Sequence, residues 1–433
     1  MTNAYTPSQA EGLSPSDQAL LARRERVLGP AYRLFYRRPL HIVRGDGVWL
    51  YDTEGRRYLD AYNNVAGLGH SRPEVVEAIR RQGEILNTHS RYLHDGVVDY
   101  AETLLTEFPW PLDTAMFTCT GSEANDLALR VARAATGGRG LIVTAFAYHG
   151  VTAAIAEASP SLGVGNRLGD HVLTVPAPVS PTEGRDVGLA FARGVEAALD
   201  DMRRKGVKPA ALLVDTIFSS DGVFADPPGF LGPAVEAVRG AGGLFIADEV
   251  QAGFGRTGAA LWGFTRHGLT PDLVTLGKPM GNGHPVACVV GRRPLMAAFA
   301  AGTRYFNTFG GAPVSCAAAM TVLQVIRRER LVENSAAMGA RLRGRLAALA
   351  ARRELIGDIR GDGLFVGVDI LRDGSPAPDL AAEIVDAMRE RGVLISATGP
   401  GGHVLKIRPP LVFAAEHVDI LADTLDEATD GID

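Results

Sequence analysis

Several short segments carry residues that could do chemistry, and each segment directly follows an apolar run. Gly121 and Ser122 follow TAMFT and open a helical pattern, and Tyr148 follows GLIVTAF. Free N–H groups at a helix start next to glycine bind phosphate, and an aromatic side chain at a strand end can stack on a flat ring. Taken alone, these residues could equally serve as a helix cap and as packing.

Asp248 and Lys278 are two charged residues that also lie at the ends of apolar runs. Asp248 ends the apolar run GLFIAD, and Lys278 follows the run DLVTLG at once. A buried carboxylate is costly unless it meets a cation, and a protonated pyridine nitrogen would be such a cation. A lysine with apolar and small neighbours can lose its proton and act as nucleophile or base. Each residue alone could be structural, but the ordered set GSEAN, YHG, ADEVQ and GK indicates one site.

The elements that must position these residues form an α/β pattern. Short apolar runs alternate with helical patterns between residues 71 and 312, which is typical of a parallel sheet wrapped by helices. The carboxyl ends of such strands gather ligands, so the segments above should meet at one edge of the sheet. Apolar and polar residues alternate around Asp-Gly and Glu-Gly turns at 42–62, which predicts a β-meander.

The pattern of apolar and polar residues changes after residue 312. Two long helices are predicted at 313–328 and 331–352, followed by shorter strands and helices in a smaller α+β unit. The segment 158–184 is rich in Gly, Pro and Ser and is predicted to be a long loop. We therefore divide the chain into an N-terminal arm and meander (1–70), a large domain (71–312) and a C-terminal small domain (313–433).

Composition narrows the function classes. The 433 residues carry 44 basic and 49 acidic side chains mixed along the chain, with a net charge of -5, so we expect neither nucleic acid nor membrane as partner. Three separated cysteines, no secretory pattern in the first 20 residues and no run of 18 apolar residues favour a soluble cytoplasmic protein. The scattered histidines and cysteines predict no metal site.

One competing signal suggests a different cofactor. The segment 253–258, GFGRTG, matches the dinucleotide fingerprint GxGxxG and follows a strand. The fingerprint needs a long helix after the glycines, whereas the next residues, AALWGFTRHG, are short and interrupted by glycine. The pattern therefore disfavours a nicotinamide cofactor.

Together, from about residue 20 to 430, these segments resemble the class III aminotransferases that use pyridoxal 5'-phosphate. The resemblance implies the fold-type I architecture, with a large, mostly parallel sheet domain, a smaller α+β domain built from both chain ends, and a homodimer, or a dimer of dimers, with shared active sites. It also implies a role for each matching residue: Gly121 and Ser122 for the cofactor phosphate, Tyr148 and Val250 for the two ring faces, Asp248 for the ring nitrogen, Gln251 for the ring hydroxyl, Lys278 for the aldimine, and Thr308 for the phosphate in the other subunit.

Within that family, several stretches resemble the branch containing ethanolamine-phosphate and phosphohydroxylysine phospho-lyases. Lys406 stands where an aminotransferase usually carries the arginine that binds a substrate carboxylate, and Arg408 follows two residues later. A lysine point charge with nearby arginines suits a tetrahedral phosphate. A second departure is Asp215 to Ser220, where Phe218 takes the position of a usual glutamine. Substrate candidates are Tyr62, Asn63, Arg72, Lys406 and Arg408.

The sequence leaves three functions open. The first is a phospho-lyase that eliminates phosphate and ammonia from a small phosphorylated primary amine, through a Lys278 aldimine and a carbanion next to nitrogen. The second is an ω-aminotransferase that moves an amino group to pyruvate, glyoxylate or 2-oxoglutarate. The third is a cofactor-binding scaffold without catalysis, because binding residues alone do not prove turnover.

Overall fold

The computed structural model describes residues 4–6, 12–179 and 186–431. The N-terminal part begins with an exposed helix and continues into the predicted meander. Its elements are α1 (Pro15–Val27), β1 (Ile42–Asp46), β2 (Trp49–Asp52) and β3 (Arg57–Asp60). Ser14 caps α1 by accepting a hydrogen bond from the Asp17 N–H. The meander prediction is confirmed, because β1 and β3 both pair antiparallel with β2.

The large unit contains a seven-stranded sheet with helices on both faces. Its elements are α2 (Pro73–Ile85), α3 (Asp95–Leu105), β4 (Thr114–Thr118), α4 (Gly121–Thr136), β5 (Gly140–Thr144), α5 (Ala153–Ala156), β6 (Val172–Val175), α6 (Val187–Arg204), β7 (Pro209–Asp215), α7 (Gly232–Gly240), β8 (Leu244–Asp248), β9 (Leu273–Leu276), β10 (Ala287–Gly291) and α8 (Arg293–Gly302). The strand order is β4-β10-β9-β8-β7-β5-β6, and only β10 runs antiparallel to its neighbours. The predicted mostly parallel sheet is therefore confirmed.

One strand was missed by the sequence patterns. The segment predicted as a loop at 158–184 contains β6, which pairs in parallel with β5 at the edge of the sheet. The strand has only four residues and lies between Gly-rich and Pro-rich segments. Four residues are too few for an alternating or apolar pattern to indicate a strand. Residues 180–185 of this segment lie outside the described part of the chain.

The C-terminal part joins both ends of the chain in one packed unit. Its elements are α9 (Pro313–Arg328), α10 (Leu331–Ala350), β11 (Ile356–Asp362), β12 (Phe365–Arg372), β13 (Ser375–Pro376), α11 (Pro378–Glu390), β14 (Val393–Leu394), β15 (Ser396–Thr398), β16 (Val404–Ile407) and α12 (Ala415–Thr429). Strand β14 pairs in parallel with β3, and one apolar cluster contains residues from both ends. Helix α9 instead buries Cys316 and Val322 in the core of the large unit. The boundary at 312/313 stays a prediction.

The sheet brings the predicted site segments together as expected. Strands β5, β7, β8 and β9 are parallel, and register pairs Asp215 with Asp248 and Asp248 with Thr275. Loops that follow these strands therefore emerge at one edge, where open α/β sheets gather their ligands. Within the described residues, the helices are all too short or too polar to cross a membrane.

Candidate active site

A cavity of about 300 Å³ lies at the carboxyl edge of the sheet. Its walls come from the loops after β4, β5, β7, β8 and β9 and from residues near 284. The structure brings seven of the predicted residues together in this wall: Gly121, Ser122, Tyr148, Asp248, Val250, Gln251 and Lys278. The roles of these residues stay predictions, but their shared location is observed.

The N-terminus of α4 forms one wall of the cavity. Thr120 caps the helix in a capping box with Glu123, and both Gly121 and Ser122 face the cavity. A Cβ on Gly121 would lie 2.8 Å from Val250 Cγ1, so only glycine fits between the helix and this side chain. Free N–H groups and the positive end of a 16-residue helix favour an anion here.

Asp248 is the centre of a buried hydrogen-bond network. Asp248 Oδ2 accepts hydrogen bonds from Asn125 Nδ2 at 2.9 Å and pairs with His149 Nδ1 at 2.7 Å, while Oδ1 accepts from the Val250 N–H at 3.0 Å. Thr275 Oγ1 donates to Asn125 Oδ1 at 2.7 Å and so fixes the amide. These partners hold the carboxylate in one orientation toward the cavity.

Lys278 lies across the cavity on a strained turn. Its φ is 36°, in the left-handed region that a residue with a side chain seldom adopts. Burial lowers the pKa of Lys278, the nearby Asp248 carboxylate opposes that effect, and Arg408 adds to it. A lysine whose pKa is lowered supplies more neutral amine at neutral pH, as a nucleophile or proton acceptor requires.

Gln251 is held on both sides by hydrogen bonds to side chains. Arg408 Nη1 donates to Gln251 Oε1, and Gln251 Nε2 donates to Ser219 Oγ. Ser219 Oγ in turn donates to Asp215 Oδ2. The four side chains form a continuous chain from Arg408 to Asp215, a half-buried acid that ends β7 and lines the cavity. Gln251 is thereby oriented before any ligand arrives.

Lys406 and Arg408 are buried cations close to this network. Lys406 lies in β16 and Arg408 just after it, exposed by 7% and 8%. The Lys406 Nζ lies 5.5 Å from the centre of the Phe365 ring, and the Arg408 guanidinium carbon lies 4.7 Å from the Tyr62 ring. Burial lowers the pKa of Lys406 well below its usual value, Arg408 and Lys278 lower it further, and Asp215 and Asp221 oppose the shift.

The remaining predicted residues have different positions. Tyr62 lies against Arg408 and therefore borders the cationic end of the site. Asn63 accepts a hydrogen bond from the Val65 N–H within its own loop. Arg72 is paired with Glu74 and Glu329 and is not part of the cavity wall described above. Lys406 and Arg408 are also outside that wall, but Arg408 contacts it through Gln251. Thr308 is exposed, and its predicted contact with the other subunit stays a prediction.

Sequence patterns missed several residues of the network. Asn125 and His149 stand inside the segments GSEAN and YHG but were given no role beyond a default structural one. Ser219 and Asp215 became visible as partners only in the folded chain. Phe218, which replaces a usual glutamine, is buried and packs against Phe191 and Phe230 instead of lining the cavity.

The dinucleotide-like segment 253–258 has a different use. It forms buried turns, followed by a short 3-10 helix at Gly263–His267, and the long helix that pyrophosphate binding requires does not follow it. A Cβ on Gly258 would lie 2.6 Å from the Ala336 nitrogen, which explains glycine there by close packing on α10. The expectation against a nicotinamide cofactor agrees with this local structure.

The donors of the cavity fit pyridoxal 5'-phosphate. The α4 N-terminus suits the phosphate, the oriented Asp248 carboxylate suits a protonated ring nitrogen, and Lys278 suits the aldehyde carbon. A glycine cradle supports this fit, because a Cβ on Gly150, whose φ is 138°, would lie 2.5 Å from Ser122 Oγ. The bulk of any other residue there would displace the Ser122 hydroxyl.

Comparisons with known proteins agree with this fit. Residues 35–429 match the family model described as aminotransferase class-III. A phospholyase from Arthrobacter in complex with phosphoethanolamine is 45% identical, with a TM-score of 0.93, and the alignment covers 95% of this chain and 99% of that one. The ethanolamine-phosphate phospho-lyase homolog 1 of Caenorhabditis elegans is 37% identical, over 95% of this chain and 93% of that protein.

Relatives with aminotransferase names have identities in the same range. The alanine-glyoxylate aminotransferase 2-like protein of Drosophila melanogaster is 40% identical, over 95% of this chain and 86% of that protein. Both groups share one family and one fold. The chain therefore belongs to the class III aminotransferase family of fold-type I enzymes, which depend on pyridoxal 5'-phosphate.

Proposed function

We propose that this enzyme is a phospho-lyase that removes phosphate and ammonia from a small phosphorylated primary amine such as ethanolamine phosphate. The observation that carries the proposal is the pair of buried cations, Lys406 and Arg408. Within residues 4–6, 12–179 and 186–431, neither forms an ion pair with a carboxylate: Lys406 lies over the Phe365 ring, and Arg408 donates to the Gln251 amide oxygen. Two buried basic groups without counter-ions favour an anionic ligand such as a phosphate monoester, because an arriving dianion raises the lowered pKa of Lys406 and so favours its charged form.

The rest of the site supplies the proton chemistry. Bound pyridoxal 5'-phosphate supplies an electron sink for the electron pair left when the substrate carbon next to nitrogen loses its proton. Lys278 Nζ accepts that proton, since its lowered pKa favours the neutral amine. Asp248, held by His149 and Asn125, keeps a negative charge opposite the ring nitrogen. These residues serve elimination and amino transfer equally well.

The outcome depends on the group attached to the next carbon of the substrate. Lys406 and Arg408 can hold a phosphate there and stabilise the charge that grows on its bridging oxygen when the carbon–oxygen bond breaks. The resulting enamine hydrolyses to an aldehyde and ammonia, so no keto acid is consumed. A phospholyase whose structure holds phosphoethanolamine, 45% identical to this chain, supports this assignment.

A second candidate is an ω-aminotransferase. Relatives named alanine-glyoxylate aminotransferases are 40% and 39% identical to this chain, which specifically favours amino transfer to glyoxylate. In that reaction Lys278 would return the proton to the cofactor side, and phosphate would play no part. Lys406 would then meet a carboxylate.

One pair of assays separates the two functions. Purified holoenzyme is incubated with ethanolamine phosphate in the absence of any keto acid, and released inorganic phosphate and ammonia are measured. Equal amounts of the two products support the phospho-lyase. Parallel incubations with alanine and glyoxylate measure glycine and pyruvate. Failure to release phosphate from a series of phosphorylated amines, together with keto-acid-dependent amino transfer, contradicts the proposal.

We also propose a homodimer with shared sites. Large apolar side chains are exposed on the segments 85–93 and 306–309, among them Leu93, Phe306 and Phe309. Such a patch is costly in water and is typical of a subunit interface. Sedimentation at micromolar concentration should give about twice the chain mass, whereas a monomer would refute the proposal.

We propose a cytoplasmic location, although the names of two relatives include the word mitochondrial.

A further inference from the structure

The turn that carries Lys278 has an unfavourable backbone conformation at both ends. Residues Lys278–Gly281 form one turn of 3-10 helix shortly after β9, and Asn282 ends it. The φ angles of Lys278 and Asn282 are 36° and 48°, both in the left-handed region. Such a backbone costs free energy and persists only where neighbouring contacts hold it. The contacts between this turn and the rest of the chain therefore determine where the lysine lies.

Asn282 makes two of those contacts through its side-chain amide. Its Oδ1 accepts a hydrogen bond from the Leu68 N–H at 2.8 Å, and its Nδ2 donates to the Gly69 carbonyl at 2.9 Å. The amide thus binds one main-chain donor and one main-chain acceptor, as the peptide group of an adjacent strand would. Reversal of the amide would set acceptor against acceptor and donor against donor, so the pairing also fixes its orientation.

The segment that Asn282 binds, residues 66–70, is itself anchored. The His70 N–H donates to the Gly47 carbonyl at 2.7 Å, and the Gly47 N–H donates back to the His70 carbonyl at 3.1 Å, which joins the segment to the turn between β1 and β2. A Cβ on Gly67 would lie 3.3 Å from Pro279 Cβ, so the segment also packs directly on the lysine turn. Asn282 therefore fastens that turn to a fixed part of the chain.

The left-handed backbone alone offers a simpler explanation for asparagine at this position. Asparagine adopts this conformation more readily than most residues, so Asn282 could serve its own backbone only. Glycine would serve that purpose at least as well. The two hydrogen bonds to Leu68 and Gly69 go beyond it, because both connect the turn to another segment.

We infer that Asn282 is a positioning residue that holds the Lys278 turn against residues 66–70 and so keeps the lysine amine at the cofactor aldehyde. The inference rests on the role proposed above for Lys278 and is independent of the substrate. Two groups held in the right geometry react far more favourably than free ones, so a displaced amine bonds to the aldehyde less completely. Loss of the two hydrogen bonds should weaken that bond and leave the other cofactor contacts intact.

A comparison of two ligands tests the inference without turnover. Pyridoxal 5'-phosphate can bond to Lys278, whereas deoxypyridoxine 5'-phosphate, which has a methyl group in place of the aldehyde, cannot. Their dissociation constants are measured on the full chain freed of cofactor. Asn282→Gly keeps the left-handed backbone without the side chain, and it should bind pyridoxal 5'-phosphate about tenfold more weakly, the size of one or two net hydrogen bonds. Its affinity for the deoxy ligand should equal that of the wild type.

Asp373→Gly is the matched control, because Asp373 is exposed and has a left-handed φ of 51° in the turn between β12 and β13. It should bind both ligands like the wild type. Equal weakening of both ligands in Asn282→Gly would show that Asn282 supports the cavity as a whole. Unchanged binding of both would show that it serves only its own backbone. Either result overturns the inference.

A double-mutant cycle with Lys278 isolates the lysine from the rest of the site. In the Lys278→Ala background, Asn282→Gly should leave the affinity for pyridoxal 5'-phosphate unchanged, because no amine remains to be positioned. A further tenfold loss in that background would contradict the inference.

Asn282→Asp decides the matter if Asn282→Gly does not fold. Aspartate has the same shape and tolerates the left-handed backbone, but it places an acceptor against the Gly69 carbonyl. Weaker binding of pyridoxal 5'-phosphate alone supports the inference, and wild-type binding of both ligands overturns it. Failure of the Lys278 assignment is a separate result, since the wild type would then bind the two ligands equally. Failure of the phospho-lyase proposal would show only as no phosphate release from phosphorylated amines.

Discussion

The two ends of the active site differ in how their buried charges are neutralised. At the cofactor end, the Asp248 carboxylate has three hydrogen-bond donors from the protein. At the proposed substrate end, Lys406 and Arg408 lie buried without a carboxylate partner in the described residues. The first arrangement is complete before the reaction starts. The second awaits an anion, so it should decide which substrate the enzyme accepts.

The largest expected effect is loss of the amine at Lys278. In the proposed mechanism Lys278 binds the cofactor aldehyde and carries the proton, so turnover of Lys278→Ala should fall by about 10³-fold or more. The cofactor absorbance band of the lysine adduct should disappear as well. Lys205→Ala is the control, because Lys205 is exposed and pairs with Asp201 on the surface of α6. Retained turnover in Lys278→Ala would refute the assignment of this lysine.

The next largest effect is expected at Asp248, at the cofactor end of the site. Asp248→Asn removes the charge that we propose lies opposite the ring nitrogen, and it should lower kcat by about 10²-fold, the size typical of a lost electrostatic contact. It also breaks the pairing with His149 and Asn125, so the free energy of unfolding should fall by about 1–3 kcal/mol. Steady-state kinetics and chemical denaturation measure the two effects. A fully stable and fully active variant would show that this network is dispensable.

Substitution of Lys406, at the proposed substrate end, should have the opposite effect on stability. Lys406→Met removes a buried, unpaired amino group whose pKa is lowered by burial, and it keeps similar volume, so the free energy of unfolding should stay equal or rise by about 1 kcal/mol. The KM for ethanolamine phosphate should increase about tenfold, as expected for one lost charge-assisted contact. Denaturation and phosphate-release kinetics check the two statements. Loss of stability in Lys406→Met would contradict the contrast between the two ends.

The cofactor end of the site could be predicted from the sequence, whereas the hydrogen-bonded chain toward Arg408 could not. Gly121, Tyr148 and Lys278 each follow an apolar strand and Asp248 ends one; because parallel strands end at one edge, the assembly of these residues in one cavity could be predicted. The chain from Arg408 through Gln251 and Ser219 to Asp215 joins segments up to 193 positions apart, which no period or spacing encodes. Strand β6 was not predicted, because a run of four residues is too short to establish a periodic pattern.

The smallest effect on turnover is expected at Asp221, a buried acid beside the cationic end. It accepts hydrogen bonds from Thr144 Oγ1 at 2.7 Å and from the Phe146 N–H at 3.1 Å, and burial raises its pKa to about 6. Because Asp221 does not line the cavity, Asp221→Asn should change turnover by no more than a factor of about three, the effect typical of a substitution away from the reacting groups. Thr144 can rotate its hydroxyl to donate to or accept from the amide.

The effect on stability should nevertheless depend on pH. A pKa above the unfolded value means that the folded protein binds the proton more tightly, so this contribution is fully present below pH 4 and is lost as pH rises through 6. Over that window the wild type should lose about 3 kcal/mol that Asp221→Asn does not lose. Denaturation of both proteins at pH 4 and pH 7 measures the difference, in which the other carboxyl groups cancel. A difference independent of pH would show that Asp221 ionises normally and that the cations nearby already neutralise it.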